Sequence, residues 1–322
     1  MIADLPRRVY RRSLGLPANM ALKALNIPAI EARLLASHQR ALEKHKPDLP
    51  KLTATQADIV AGLERNGVHV TTLAALAMRG TDEMFEAACG LADSYAERLG
   101  AGSLNGKTTI QADAAELLRN PSIFRWGVND GMLQIAEAYL GLPVGYDGLN
   151  LFYTVADGRE VAARKWHRDC EDRRMLKVAV YLNDVDEAGG PFQVLHRDVA
   201  GSRSTRPFDY RVLTQKKLEQ SLADPLREGD VTTCVGPAGT VVFADTARFY
   251  HRGKPAVSRD RRAIFYNYMT RVPRHPFFCE RSVLSRAQIA ELAAEMTPSQ
   301  RACVLWRDAL PLIARIIPPH PL

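Results

Sequence analysis

Beyond Pro143 the chain changes texture, and this change limits its fold more than any other feature. Six short runs are apolar or alternate apolar with polar residues: Leu149–Val155, Met175–Leu182, Phe192–Leu195, Val231–Val235, Thr240–Phe243 and Ala263–Met269. Turn-forming clusters punctuate them, namely Asp157-Gly158, Gly189-Gly190-Pro191, Gly236-Pro237 and Gly253-Lys254-Pro255. Short alternating runs bounded by such residues read as strands with one buried face. Parallel neighbours would need long crossover connections, usually helical, and no long helical pattern separates the runs. The pattern therefore predicts an antiparallel sandwich or jelly roll, not a doubly wound parallel sheet.

The flanks are helical. Residues 52–142 keep a mainly helical pattern, with one short strand over Val68–Leu73. Thr81-Asp82 is a plausible cap before Met84, Phe85, Cys89 and Leu91, and Ile135, Tyr139 and Leu140 close a later helix before Gly141. A helical tail is expected from about Arg286 through Leu310. The resulting expectation is a mainly β, α+β chain with flanking helices. A basic helical extension over 1–51 precedes a single domain over 52–322, divided into a helical flank 52–142, a strand-rich core 143–272 and a helical tail 273–322.

Charge is unevenly distributed. The chain carries 43 Lys and Arg against 36 Asp and Glu, a formal +7. Residues 1–51 hold ten basic and four acidic residues, a net of +6, so the remainder is nearly neutral. Within that region Ile30, Leu34, Leu35 and Leu42 recur at helical spacing between Pro28 and Pro47, which predicts an amphipathic helix. A 46% hydrophobic and 25% charged composition excludes wholesale disorder. Five scattered cysteines without C-x-x-C spacing fit a reduced, cytoplasmic protein. No signal-type apolar region follows the first arginines, and no apolar run is long enough to span a bilayer.

Two of the eight histidines open identical tripeptides, His167-Arg168-Asp169 and His196-Arg197-Asp198. On an extended strand, residues two apart leave from the same face, so one imidazole and one carboxylate can reach a common metal. A histidine from another strand completes the two-histidine, one-carboxylate face that holds non-haem Fe(II) and leaves coordination positions open. His251, at the end of the run from Gly239, is the candidate third ligand. Chance alone supplies roughly half a match to His-x-Asp in such a composition, and a histidine among charged residues is commonly a solvated side chain. Arg261 and Arg262 stand ten and eleven residues after His251 and open the apolar run Ala-Ile-Phe-Tyr. A guanidinium there suits bidentate pairing with a carboxylate. Adjacent strand residues face opposite ways, so only one of the two can serve.

These segments together resemble the phytanoyl-CoA dioxygenase-like branch of the Fe(II)- and 2-oxoglutarate-dependent oxygenases. The likeness is carried by Trp166-His-Arg-Asp, by Leu176-Lys-Val-Ala-Val-Tyr-Leu-Asn-Asp with the Gly189-Gly-Pro hairpin, and by Gly239 through His251-Arg-Gly-Lys-Pro to Arg261. It covers about the middle third of the chain. The usual Gly-Ser-His after the hairpin strand is replaced by Leu195-His-Arg-Asp. The resemblance implies a double-stranded β-helix (jelly roll, cupin-like) core. It further implies Fe(II) on His167, Asp169 and His251, and 2-oxoglutarate clamped by Arg261, with Arg262 as the alternative. Oxygen would decarboxylate the co-substrate to succinate and CO2, and hydroxylation of an unactivated C–H bond is the expected outcome. Asp169 argues against halogenation, since related halogenases lack this carboxylate. Context favours His167 and Asp169 over His196 and Asp198, because in the family the strand and hairpin follow the ligand pair.

Other residues are weighed on their own chemistry. Lys177 interrupts an apolar strand and either faces an anionic ligand or lies on a solvated face. Trp166 walls the metal site or is a core aromatic. Asp245 orders the loop before His251 or is a turn residue. Cys170 is a bystander. Ala101-Gly-Ser-Leu-Asn-Gly-Lys107-Thr108 loosely matches a phosphate loop but follows no strand, and it reads as a solvated loop. Neither His-Arg-Asp continues into a kinase catalytic loop. The expected partner is a small molecule, with an anion or an acyl thioester among the candidates, and no specific nucleic acid is expected. Two other classes stay open: a non-catalytic jelly-roll binding protein, and peripheral membrane or nucleic-acid association through residues 1–51.

Overall fold

The computed structural model describes residues 5–102, 106–199 and 211–320, with side chains from Gly15 onward. Among the described residues nine strands form two antiparallel sheets. They are β1 (Val68–Thr72), β2 (Thr109–Gln111), β3 (Val144–Thr154), β4 (Leu176–Tyr181), β5 (Phe192–Leu195), β6 (Val231–Cys234), β7 (Thr240–Asp245), β8 (Tyr250–Gly253) and β9 (Arg261–Thr270). The larger sheet runs β1-β7-β4-β9-β3-β2 and the smaller β6-β5-β8. The core is a jelly roll, mainly β with flanking helices.

Strand alternation sorts the side chains into two cores. Val178, Val180, Val241, Phe243, Ile264 and Tyr266 point to the outer face of the larger sheet and pack against the helices Ala54–Asn66, Thr81–Gly100 and Asp130–Leu140. Their neighbours Ala179, Tyr181, Val242, Ala244, Ala263 and Phe265 point inward, where Phe192 and Val194 of the smaller sheet meet them. The alanines keep the interior open. Residues on this inner face, one in two along β4 and β9, are those that can reach a ligand between the sheets.

Differences from the sequence reading have local causes. β3 begins at Val144, before the expected Leu149, because Gly148 (φ +86°) bulges the strand and hides the alternation. β2, three residues long, is too short to show a period, and β8, as long as β5 and β6, reads Tyr-His-Arg-Gly with no apolar run. The Thr81–Gly100 helix starts from Gly80 in a left-handed conformation, and the Thr81 hydroxyl donates back to the Met78 carbonyl, so Thr81-Asp82 is the first turn and not the cap. The tail is not one helix but Arg286–Ala293 and Pro298–Val304, with Thr297 starting the second through a capping box. Leu5–Leu25 is helical despite Pro17, and the expected amphipathic helix is Pro28–His45. That helix is tied to the core by a Glu31–Arg274 ion pair and by His45 against Glu137 at 2.8 Å. Part of the loop around Gly102–Gly106 lies outside the described residues.

Candidate metal centre and its arginine

The segment before β4 runs antiparallel to β8. His167 N–H donates to the His251 carbonyl at 3.1 Å and His251 N–H donates to the His167 carbonyl at 2.9 Å, which sets the two imidazoles 4.3 Å apart. Alternation then returns Asp169 to the same face, and its N–H donates to the Thr246 carbonyl at 2.8 Å. Arg168, on the opposite face, lies over the Tyr250 ring. Ligand-type atoms of His167, Asp169 and His251 all fall within 4.8 Å of one another, the one such group among the described residues.

Each imidazole is held through Nδ1, against the Lys165 carbonyl for His167 (2.8 Å) and the Phe249 carbonyl for His251 (3.4 Å). This arrangement fixes the ring and leaves Nε2 for the cluster. The Nε2 of His251 is buried without a hydrogen-bond partner among the described residues, 3.9 Å from the Asp169 carboxylate. Burial, reinforced by the neighbouring His167, holds the His251 pKa well below the usual imidazole value, so the ring is neutral as metal ligation requires. Burial alone would raise the Asp169 pKa, but the Lys177 ammonium beside it holds it well below the usual carboxylate range. An orphaned buried nitrogen, a neutral imidazole pair and an ionised carboxylate fit a divalent cation of the iron type.

Lys177 faces inward and its ammonium donates to Asp169 Oδ2 at 2.7 Å. It sits opposite Asn267 on β9, six residues from Arg261, roughly 20 Å along the strand at about 3.3 Å per residue. The structure brings Lys177 to the carboxylate and not to the arginine.

Arg261 is buried at the far end of the inner face. One of its guanidinium nitrogens donates to the Gly190 carbonyl, its Nε has no partner, and it makes no ion pair among the described residues. Room for it depends on Gly253, where an added Cβ would lie 2.6 Å from the guanidinium. The Phe192 ring stacks on His251 (5.5 Å) and lies 6.4 Å from Phe265, which in turn sits under Arg261 (5.9 Å). One aromatic wall therefore joins the cluster to the arginine. Arg262 faces the other way, pairing with Asp93 and lying over Tyr153.

The remaining candidates sort plainly. His196 bonds Thr232 Oγ1 at 2.7 Å, and Arg197 pairs with Asp230, so the second tripeptide is apart from the cluster. Trp166 is a core aromatic, its indole N–H donating to Gln215 and its ring under Arg252. Cys170 is buried beside Phe277 and Phe278. Asp245 organises the turn ahead of His251, accepting from the Ala247 and Arg248 N–H groups at 3.1 Å and from the Tyr139 hydroxyl at 2.5 Å. Tyr139→Phe should lower the unfolding free energy by about 1–3 kcal/mol, seen as a lower urea midpoint at unchanged m, because it removes the hydrogen bond to a buried carboxylate oxygen whose other partner, the Arg248 guanidinium, stands 3.6 Å away. Sequence reasoning missed the buried Glu171, which follows Asp169 by two and pairs with Arg281 at 2.7 Å. Nothing in the sequence links these two, which lie 110 residues apart.

No family model matches the sequence, and no curated protein matches it. Solved structures do. SnoN, an epimerase crystallised with Fe3+, α-ketoglutarate and nogalamycin RO, is 17% identical over 68% of this chain and 85% of its own, with a TM-score of 0.44. EctD from S. alaskensis, with 2-oxoglutarate and 5-hydroxyectoine, is 20% identical over 69% and 79%, with a TM-score of 0.45. HygX from Streptomyces hygroscopicus, with nickel and 2-oxoglutarate, is 16% identical over 69% and 88%, with a TM-score of 0.44.

Proposed function

We propose that the chain is an Fe(II)- and 2-oxoglutarate-dependent oxygenase that hydroxylates a C–H bond of a small molecule. The observation that carries this reading is Arg261. A guanidinium buried without a carboxylate partner among the described residues is costly. It becomes favourable when a ligand brings the carboxylate, and the aromatic wall that joins the arginine to the cluster supports a ligand that reaches both. His167, Asp169 and His251 hold the metal, and Arg261 takes the distal carboxylate of 2-oxoglutarate. Bound there, the pair supplies the oxidising chemistry, with succinate and CO2 as by-products. The chain's own contribution is to fix the imidazoles through Nδ1, keep Asp169 ionised and orient the co-substrate along Phe192 and Phe265. Lys177, remote from Arg261, lies at the end left for the substrate and favours one with an anionic group, of which an acyl thioester with a phosphorylated carrier is one form.

Anaerobic addition of Fe(II) followed by 2-oxoglutarate should produce a weak visible metal-to-ligand charge-transfer band, and in air the protein should convert 2-oxoglutarate to succinate only with iron present. A protein showing neither sinks the reading.

Lys177 also carries a stability prediction. Without metal, Lys177→Met leaves Asp169 buried and unpaired, and should cost about 3–5 kcal/mol of unfolding free energy. A divalent cation supplies the missing positive charge, so saturating Mn(II) should restore more stability to the variant than to wild type. Equal stability of both metal-free proteins in urea would show that the ion pair is not what holds Asp169.

A further inference from the structure

Among the described residues fourteen large aliphatic side chains are exposed; eight of them fall on three helices outside the sheets, and Ile27 lies between the first two. Leu16 and Met20 project from Leu5–Leu25, Ile30 and Leu34 from Pro28–His45, and Leu312, Ile313 and Ile316 from the short helix Leu312–Ile316. Met20 is 66% exposed and Leu312 76%, values foreign to a packed surface helix. The other five are single valines scattered over the molecule, which need no explanation.

The first helix and Ile317, the residue after the last helix, meet in one cluster, while Ala314 of the last helix packs beside Trp306 and Leu310. Ala18, Ala21 and Leu22 pack with Ile317 against Phe277 and Phe278, and an added Cβ on Gly15 would lie 3.0 Å from the His320 ring. Leu16 and Met20 are exposed on the side of the first helix away from Ala18, and Leu312, Ile313 and Ile316 are exposed on the last helix, which this contact brings beside it. The same cluster contains Cys170, the residue after Asp169, so this surface lies directly behind the loop that carries the candidate metal ligands. Its charge is equally lopsided. The Leu5–Leu25 helix has five Lys or Arg and no acid, residues 1–51 carry a net +6, and Arg315 adds to the last helix. Among the described residues no helix is long and apolar enough to cross a membrane. Exposed aliphatics on helices whose sequence is rich in Lys and Arg suit a helix lying in the headgroup plane of an anionic bilayer.

We propose that this face, built from both ends of the chain, docks the protein on an anionic lipid surface. It does not depend on the oxygenase reading. The test is co-sedimentation of the full chain with vesicles of phosphatidylglycerol and phosphatidylcholine in equal parts, against vesicles of phosphatidylcholine alone. Binding should be at least about tenfold stronger to the anionic vesicles and weaken in 0.5 M salt, where screening shortens to a few ångströms. Met20→Glu combined with Ile313→Glu and Ile316→Glu changes exposed positions only. It should cut vesicle binding by about tenfold or more while Mn(II) affinity and thermal midpoint stay put. Equal partition onto both lipids, or a triple variant that binds anionic vesicles like wild type, would overturn the proposal. So would a wild-type dimer in light scattering that the triple variant dissociates, since the face would then cover a second copy.

Discussion

His251→Ala should abolish divalent-cation binding, raising the Kd for Mn(II) by well over 100-fold in equilibrium dialysis. Loss of an outer-shell partner already costs 10- to 100-fold in metal sites, and His251 is a direct ligand in the proposed arrangement. Asp169→Asn should lose binding comparably, since an amide keeps the shape but not the charge that faces the cation. His196→Ala is the control: its ring bonds Thr232 and stands apart from the cluster, so Mn(II) affinity should be unchanged. The backbone pairing of residues 167 and 251 does not depend on the imidazole, so the alanine variant should still fold, with a cooperative thermal transition showing that it does. Retained binding in His251→Ala would overturn the proposed ligand set, and lost binding in His196→Ala would move the metal to the other tripeptide.

How far such a site can be read in advance depends on the distance over which its geometry is set. His167 and Asp169 are two apart, and alternation alone puts them on one face. Arg261 and Arg262 are adjacent, and alternation says only that they part; the register of β9 against β3 and β4 decides which enters, sending Arg262 to Asp93 and Arg261 beneath Gly253. Lys177 shows the limit. Its inward position follows from its place in β4, yet its partner is set by the path of the chain between Asp169 and β4, where no periodicity exists to read.

The same division governs the fold. Strands β4, β5, β6, β7 and β9 announce themselves because each pairs a short apolar run with bounding turn residues, whereas β3 hides half its length behind Gly145, Asp147 and Gly148. Asp147 is there for a tertiary reason: its buried carboxylate accepts the Glu280 N–H at 2.6 Å and the Arg281 N–H at 3.3 Å, anchoring the segment that brings Arg281 to Glu171. An acidic residue inside a strand lowers its local propensity and gains its partners only from residues 133 and 134 positions later.

Arg261→Leu separates a binding role from a structural one, because the two roles predict opposite signs for stability. The variant should lose 2-oxoglutarate affinity by about 100- to 1000-fold, since two charge-assisted hydrogen bonds to a carboxylate are together worth roughly 3–4 kcal/mol. In the ligand-free protein it should be more stable than wild type, by about 1–3 kcal/mol, because a buried guanidinium whose Nε is unsatisfied and which has no counter-charge among the described residues is replaced by an apolar side chain. The gain stays modest because the Gly190 carbonyl loses its donor. Urea unfolding without co-substrate reads the gain in stability, and calorimetric titration of Mn(II)-loaded protein with 2-oxoglutarate reads the loss of affinity. If Arg261 were a structural residue, the variant would unfold at lower urea. Arg262→Leu completes the comparison: its ion pair with Asp93 is partly solvated and worth about 0–1 kcal/mol, so stability should fall slightly and 2-oxoglutarate affinity not at all.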